Sequence, residues 1–370
     1  MKKVLILGVS EVQADAIRIL KEMGIETYAC SKSDDGPGSK EADNYEILDF
    51  TYIDKVIDYI KNNQIDCVYS VGSDIATRIY SEISEKINLP GFVSGETARI
   101  CNNKNEMRAF LGKDFKGNLN YQVLDNKYED IYLNFPFIMK PADSQGQRGV
   151  QLIHNEVDFK EKFMVSKNYS RSGFVIIEEY ISGPELSVNV YMIDGKIALL
   201  VPSDRVCWQQ FQGGLIHKHI VPSKIINKEL EFELLELVER VSKKLNIYNG
   251  PMYFQIKLLE NKPIIIEVTP RLDGCHMWKV LLHYTGVNII KLLFEHLLYN
   301  NTSEIRNYKK SKDRYMLEFL CAYPNSKVDY GKYKVPENSL CYSTYYKEDQ
   351  IVRPINNRFE KIGYFITKNT

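Results

Sequence analysis

Three stretches of this sequence set charged or polar side chains at the ends of apolar runs. In "FIMKPADSQGQRGV", residues 137 to 150, the apolar run ends in Lys140, and Pro141 leads into an amide-rich loop with Arg148 and two glycines. Glycine lets backbone N–H groups turn toward an anion with no Cβ in the way. Lys140 offers a point charge to phosphate oxygens, and Arg148 a forked contact. The same residues would also make an exposed turn with a snorkelling lysine. The loop lacks the GxxxxGKS/T spacing of a P-loop.

In "VIIEEYISGPELSVNVYM", residues 175 to 192, Glu178 and Glu179 end one apolar run, and Glu185 opens the next after a Ser182-Gly183-Pro184 turn. Carboxylates and backbone carbonyls here can accept from an exocyclic amine and from ribose hydroxyls. An acidic strand end facing water reads the same way. In "MYFQIKLLENKPIIIEVTPR" a hairpin turning at Glu260-Asn261-Lys262 places Gln255 on one strand and Glu267 and Thr269, two apart and on one face, on the other. Glu267 follows three isoleucines, which suggests a central strand. A buried carboxylate needs a partner, and a divalent cation or Arg271 would serve. Mg²⁺ takes one or two carboxylates plus phosphate oxygens, and Arg271 is placed to reach the same phosphates.

The elements around these stretches alternate. "KKVLILGVS", "IETYAC" and "IDCVYSVG" read as strands separated by helical patterns, which means a parallel, doubly wound sheet over residues 1–95. Its first turn has one glycine, Gly8, where a dinucleotide fingerprint needs three, so a nicotinamide site is disfavoured. Substrate binding at the strand ends near Gly8, Ser10, Gly72 and Asp74 stays open. Residues 96–113 read as two helices broken at Cys101 to Asn103. Five strand-like runs follow between Phe135 and Val206, with a helix near Glu156 to Val165 between the second and third. The chain from 301 reads as short strands.

Composition bounds the reading. The 370 residues suit two or three domains, and 48 basic residues match 48 acidic ones. That balance argues against a nucleic-acid footprint. No apolar stretch reaches the length of a membrane span. Glu11 and Asp15 interrupt the N-terminal apolar run, which reads as a strand and helix rather than a signal peptide. Seven scattered cysteines without CxxC spacing fit reduced thiols and a cytoplasmic location. His217 and His219, two apart, would share a face of a strand, but no further cluster supports zinc.

Taken in order, the three stretches resemble the ATP-grasp superfamily, and within it the carbamoyl-phosphate-synthetase-like carboxylate–amine ligases. The resemblance covers about residues 1 to 300: "KPADSQGQRGV" stands for a lid close to KPxxGxGSxGV, "EEYISGPE" for the hinge, and "Q…IIIEVTPR" for Q…EMNPR. It implies an α/β fold: a Rossmann-like domain (1–95), a helical linker (96–113), a lid subdomain (114–178), a second ATP-grasp subdomain with the metal site (179–300), and a small β-rich C-terminal segment (301–370). It implies ATP and Mg²⁺, with Mn²⁺ as a substitute. Lys104 and Lys140 are then nucleotide-contacting lysines. Ser144 to Val150, with Gln147 and Gly149, is a lid over the β- and γ-phosphates. Glu178, Glu179, Tyr180 and Ile181 form the hinge whose backbone reads adenine, and Glu185 binds ribose. Gln255, Glu267 and Thr269 hold the metal, and Arg271 steadies the transferred phosphoryl. Thr269 replaces the usual asparagine and Gln147 the usual serine. After Arg271, His276 and Trp278 lie where subfamilies differ in substrate.

The implied reaction is attack of a carboxylate on the γ-phosphate of ATP, giving an acyl phosphate and ADP, followed by attack of an amine and loss of phosphate. Arg205, whose fork matches two carboxylate oxygens, is the candidate grip on the acid. Trp208, Lys218 and His219 lie between the hinge and the metal strands, and His217 or His219 could serve as a base for the amine. Simple packing explains each as well. A small-molecule kinase on the same fold and a low-turnover nucleotide-binding protein are the alternatives. Small-molecule substrates and a homodimer are expected, with neither nucleic acid nor membrane as partner.

Overall fold

The structure, a computed structural model, describes residues 1–125, 131–144, 148–211, 214–355 and 358–369. The N-terminal sheet contains β1 (Lys3–Leu7), β2 (Glu26–Ser31), β3 (Asn44–Ile47) and β4 (Cys67–Tyr69), all parallel and in the order β3-β2-β1-β4. Helices α1 (Glu11–Glu22), α2 (Gly38–Glu41), α3 (Ile53–Asn63) and α4 (Asp74–Ile87) accompany it. The N-terminal apolar run thus forms a strand and a helix, as its interrupting acids imply. Ser10 and Gln13 form a reciprocal capping box at α1. The Gln13 side chain also donates to the Val71 carbonyl and lies 3.4 Å from where a Cβ on Gly8 would stand. The turn in which a pyrophosphate would approach a helix N-terminus is therefore filled by the protein's own amide.

Two short helices, α5 (Gly95–Asn102) and α6 (Lys104–Leu111), meet at Asn103. They lead into a four-stranded antiparallel sheet in the order β5-β8-β6-β7, built from β5 (Tyr121–Leu124), β6 (Phe137–Pro141), β7 (Gln151–Ile153) and β8 (Val175–Glu179). Helix α7 (Glu156–Asn168) packs on it. Leu124, Phe137, Met139, Ile153, Phe159, Phe163, Val175 and Ile177 make a small core of their own. β5 arises from polar text that carries no clear strand pattern.

The remaining strands form one eight-stranded sheet, ordered β13-β12-β9-β10-β11-β14-β16-β15. They are β9 (Glu185–Ile193), β10 (Lys196–Cys207), β11 (Ile216–Val221), β12 (Gly250–Leu259), β13 (Lys262–Thr269), β14 (Arg314–Ala322), β15 (Cys341–Thr344) and β16 (Glu360–Asn369). Helices α8 (Lys228–Lys244), α9 (Met277–Thr285) and α10 (Ile289–Tyr299) complete the chain. The C-terminal strands, expected as a separate β-rich segment, extend the same sheet. Alternation divides its two faces. Leu186, Val188, Val190, Met252, Phe254, Ile256 and Ile265 join an apolar core with α5, α6 and α8. The other side carries Ser187, Asn189, Ser203, Arg205, Tyr253, Gln255 and Thr269.

β13 corrects one expectation: it is an edge strand, not a central one. The run Ile264-Ile265-Ile266 is apolar because linker segments cover the edge. Ile265 N donates to the Gly117 carbonyl at 2.8 Å, and Arg108 binds the carbonyls of Ile265 and Ile266 at 2.7 and 3.0 Å. A bulge falls at Ile266, so that Ile265 lies opposite Ile256 while Glu267 lies opposite Gln255. The extra residue moves Glu267 from the apolar face to the polar one. The hairpin turn itself is Glu260-Asn261, both at positive φ.

The Ser182-Gly183-Pro184 turn is pressed against β12. A Cβ on Gly183 would stand 1.7 Å from the Leu258 carbonyl oxygen. Gly183→Ala is expected to cost about 2 kcal/mol, because backbone cannot yield as a side chain can; a denaturant titration of both proteins measures this.

Candidate functional site

Where the lid sheet meets the larger sheet, three ionised groups are buried together. Glu178 on β8 accepts from Arg108 Nε at 2.9 Å and from Lys140 Nζ at 2.5 Å; all three residues are at most 5% exposed. Burial pushes the Glu178 carboxyl up, but Arg108 and Lys140 outweigh it and hold it at about 2. Burial lowers Lys140, and the charges of Arg108 and Lys104 add to this. Glu178 alone opposes them, so Lys140 settles at about 8. Arg108 also binds Asn118 Oδ1 at 3.0 Å and the two β13 carbonyls, which ties the lid strand to the residue before Glu267. Arg108 thus links the buried Lys140–Glu178 pair to the strand that carries Glu267.

Lys104 reaches toward the lid loop. Its Nζ donates to the Ser144 carbonyl at 2.8 Å and its backbone N–H to Ala142 O at 3.0 Å. Gly149 has φ +72°, and a Cβ there would stand 2.8 Å from Pro141 Cγ. The Val150 carbonyl accepts from Arg358 Nη2 at 3.3 Å. Gln147 lies outside the described residues. In the segment expected as the hinge, Glu179 accepts from the Asn120 amide at 3.0 Å. Tyr180 lies under Lys257, which also donates to the Ile181 carbonyl at 2.8 Å.

On the polar sheet face, Glu185 accepts from Gln255 Nε2 at 2.5 Å and from Arg205 Nη1. Arg205 was expected as an open fork for a substrate acid. One arm is instead committed to Glu185 and Cys207, leaving Nε without a partner among the described residues. A carboxylate has about four lone-pair sites, so Glu185 keeps acceptor capacity for hydroxyls. Arg271, 8% exposed, donates through Nε to Asp74, the first residue of α4 in the N-terminal domain. That pairing replaces the alternative of a Glu267–Arg271 ion pair.

The expected metal ligands can be tested on their own chemistry. Glu267 and Gln255 face each other across the ladder, and Thr269 shares their side. Gln255 donates through its nitrogen, which leaves its carbonyl oxygen as an acceptor. The Thr269 hydroxyl is buried and has no partner among the described residues. These oxygens fit a hard cation that takes most of its ligands from phosphates and water. No group of three or more His, Cys, Asp or Glu suited to a metal occurs among the described residues.

Two further expectations are corrected. His276 and Trp278 do not face an open substrate site. His276 Nδ1 binds Asp15 Oδ2 at 2.7 Å and Trp278 Nε1 binds it at 2.8 Å, while His276 Nε2 meets Tyr345 OH at 2.9 Å. This knot fastens α1 to the segment after Arg271. His217 and His219 do not share an environment, because the β10–β11 ladder slips where Val206 pairs with Lys218 and Cys207 with Ile216. His217 stacks on Trp208 and bonds Glu318, whereas His219 is fully buried with Nδ1 3.4 Å from Ser203. Near the strand ends, Asp74 is taken by Arg271, and a Cβ on Gly72 would lie 2.6 Å from Gly274 Cα.

The sequence reading missed Arg108 and the partner role of Asp74. The signal for Arg108 was its place among Met107 and Leu111 on the apolar face of α6, where an arginine must find acceptors. Asp74 carries no local signal, because its partner is 197 residues away.

Residues 133–278 match the family described as "ATP-grasp domain". The phosphoribosylamine–glycine ligase of Pyrococcus furiosus is 22% identical over 371 residues, covering 92% of this chain and 81% of the relative. Among solved structures, the L-amino acid ligase from Bacillus licheniformis superposes with a TM-score of 0.84 at 17% identity, covering 100% of this chain and 93% of that one. The biotin carboxylase domain of the Hydrogenobacter thermophilus 2-oxoglutarate carboxylase, in complex with MgADP, gives 0.79 at 16%, covering 100% and 86%. The structural likenesses establish the fold. No helix among the described residues is long and apolar enough to cross a membrane.

Proposed function

We propose that this chain, whose residues 133–278 match the ATP-grasp domain, is an ATP-dependent ligase that joins a carboxylate to an amine through an acyl phosphate and releases ADP and phosphate. The observation that supports this reading is the Arg108 bridge between the buried Lys140–Glu178 pair and the strand that carries Glu267. Lys140 and Glu178 sit on β6 and β8 and Arg108 on α6, while Gln255, Glu267 and Thr269 lie on β12 and β13 and Arg271 follows β13. The relatives' printed names favour C–N ligation over the kinase alternative.

In this reading Lys140 would hold a phosphate oxygen, and Lys104, which donates to the Ser144 carbonyl, would lie beside the triphosphate. Glu185 takes the ribose, and the Glu179–Ile181 backbone takes the base. Glu267, Gln255 and Thr269 would hold Mg²⁺, which would offset charge on the phosphates. Arg271, fixed by Asp74, keeps its remaining donors for the transferred phosphoryl. None of the cysteines is needed as a nucleophile, so the catalytic effect is positioning and electrostatics.

Lys140 gives a pH signature. Its charge is present below about 8 and lost above. Binding of a non-hydrolysable ATP analogue is therefore expected to weaken by about tenfold between roughly pH 7 and 9, and titration calorimetry across that window checks it. The function itself is tested by a matrix of acids and amines scored for ADP release and for ligated mass. Some pair should give both signals. Phosphorylated product without amine consumption would point to the kinase instead, and tight ATP binding with no turnover on any pair to the binding protein.

A further inference from the structure

Arg271 lies in a stretch, residues 270–276, that carries neither strand nor helix and joins β13 to α9. Its guanidinium is held by Asp74 and, through Nη1, by the Leu272 carbonyl at 2.9 Å. The backbone beneath it has to be fixed as well, and the contacts that do so lie at the far end of the stretch. His276, 3% exposed, has φ +54°, a left-handed conformation that side chains rarely adopt and that surrounding contacts must hold. Three residues distant in sequence hold it. Asp15 of α1 accepts from Nδ1, the Tyr345 hydroxyl meets Nε2, and the Tyr364 ring of β16 stacks on the imidazole with centroids 4.3 Å apart. Burial lowers the imidazole against the pull of Asp15 and keeps it neutral. Nδ1 then donates to the carboxylate while Nε2 accepts from the phenol.

Asp15 is 1% exposed and fully engaged. Oδ1 has Arg18 Nη2 at 2.5 Å and Lys279 Nζ at 3.5 Å, and Oδ2 has the His276 and Trp278 ring nitrogens. Fastening alone does not call for such a group. Met277, Val280 and Leu281 of α9 already share an apolar core with the N-terminal sheet, and apolar side chains of similar volume often replace a buried ionic cluster without loss of stability. A carboxylate adds direction, because its lone pairs fix an imidazole and an indole in angle as well as distance. We infer that Asp15, acting through His276 together with Tyr345, is a positioning residue for Arg271, and that this chain of contacts sets the preference of the site for a nucleoside triphosphate over the diphosphate. The terminal phosphoryl is the group that Arg271 would meet, so a shift of the stretch is felt there and not at the base or ribose. The C-terminal segment, through Tyr345 and Tyr364, then supports the phosphate site. The inference rests on the role proposed above for Arg271, but not on C–N ligation.

The test uses the full chain and compares, by calorimetry with Mg²⁺, the affinity for a non-hydrolysable ATP analogue with that for ADP. In the wild type the analogue should bind more tightly, and Arg271→Lys should remove most of that preference. Asp15→Asn should reduce the preference by about tenfold and leave ADP affinity within about twofold, since a small misplacement of a preorganised donor is costly. Tyr345→Phe removes one hydroxyl, keeps the ring and should reduce the preference by about threefold; it carries the test if Asp15→Asn does not fold. On the Arg271→Lys background neither variant should reduce the preference further, because all three changes act on one contact. A preference unchanged in both variants, or lowered as much again on that background, assigns Asp15 to stability alone and overturns the inference. Equal affinities in the wild type overturn it as well. A wild-type preference in Arg271→Lys overturns it too, and also withdraws Arg271 from the phosphoryl. The expected pattern without ADP release on any acid–amine pair keeps the positioning role and defeats the ligase reading.

Discussion

Glu267→Gln is expected to lower ADP release by about a thousandfold, roughly 4 kcal/mol of transition-state stabilisation, while ATP-analogue binding without metal stays within a few-fold. Three features argue for so large an effect. Glu267 is the one carboxylate of the donor set that faces Gln255 and shares a side with Thr269. The bulge at Ile266 exists in the one place that turns this residue off the apolar face. Its neighbour Arg271 is paired with Asp74, so that acid is not free to replace Glu267. The amide is isosteric, which keeps the hairpin intact. Initial-rate ADP release with the best acid–amine pair measures the effect, and a variant retaining more than about a tenth of the activity removes Glu267 from the metal site.

Arg108→Met carries the second large effect. It leaves Glu178 with Lys140 alone and strips ligands from Asn118 and from the carbonyls of Ile265 and Ile266. Removing one partner of a buried ionic group costs about 3–5 kcal/mol, so the denaturant midpoint should fall accordingly. The variant has a second, independent readout. Arg108 lowers Lys140, so its removal should raise the Lys140 titration above about 8 and shift the fall in nucleotide affinity to higher pH. The acid side follows with the opposite sign. The Glu178 carboxyl is held at about 2, so its stabilisation is full above its ordinary carboxylate range and is lost as pH falls toward 2. An unchanged midpoint and an unchanged pH profile would show that Arg108 merely fills space.

The order of strands and helices was readable because each of the three polar stretches interrupts an otherwise apolar run. Lys140 and Glu178 could be named on those grounds, and Glu267 could be paired with Gln255 through the hairpin. What stayed hidden depends on contacts distant in sequence or on single-residue slips. The triple isoleucine looks the same whether a strand neighbour or a linker covers it. The shift at Ile266 leaves no compositional mark. His276 and Trp278 are spaced as substrate contacts would be, yet Asp15, some 260 residues earlier, claims both. Gly72 and Gly274 are each unremarkable alone, and only their mutual contact explains them.

The N-terminal sheet, helices α9 and α10, and strands β14 and β16 contribute to one continuous apolar core, in which Tyr69 meets Phe294 edge-on. The consequence is modular. Grafting the first 95 residues of a relative onto this chain to alter its substrates would expose half of a shared interior on each fragment. A productive chimera has to carry the segment from Met277 to Tyr299 along with its preface, so the working unit of recombination here is discontinuous in the gene.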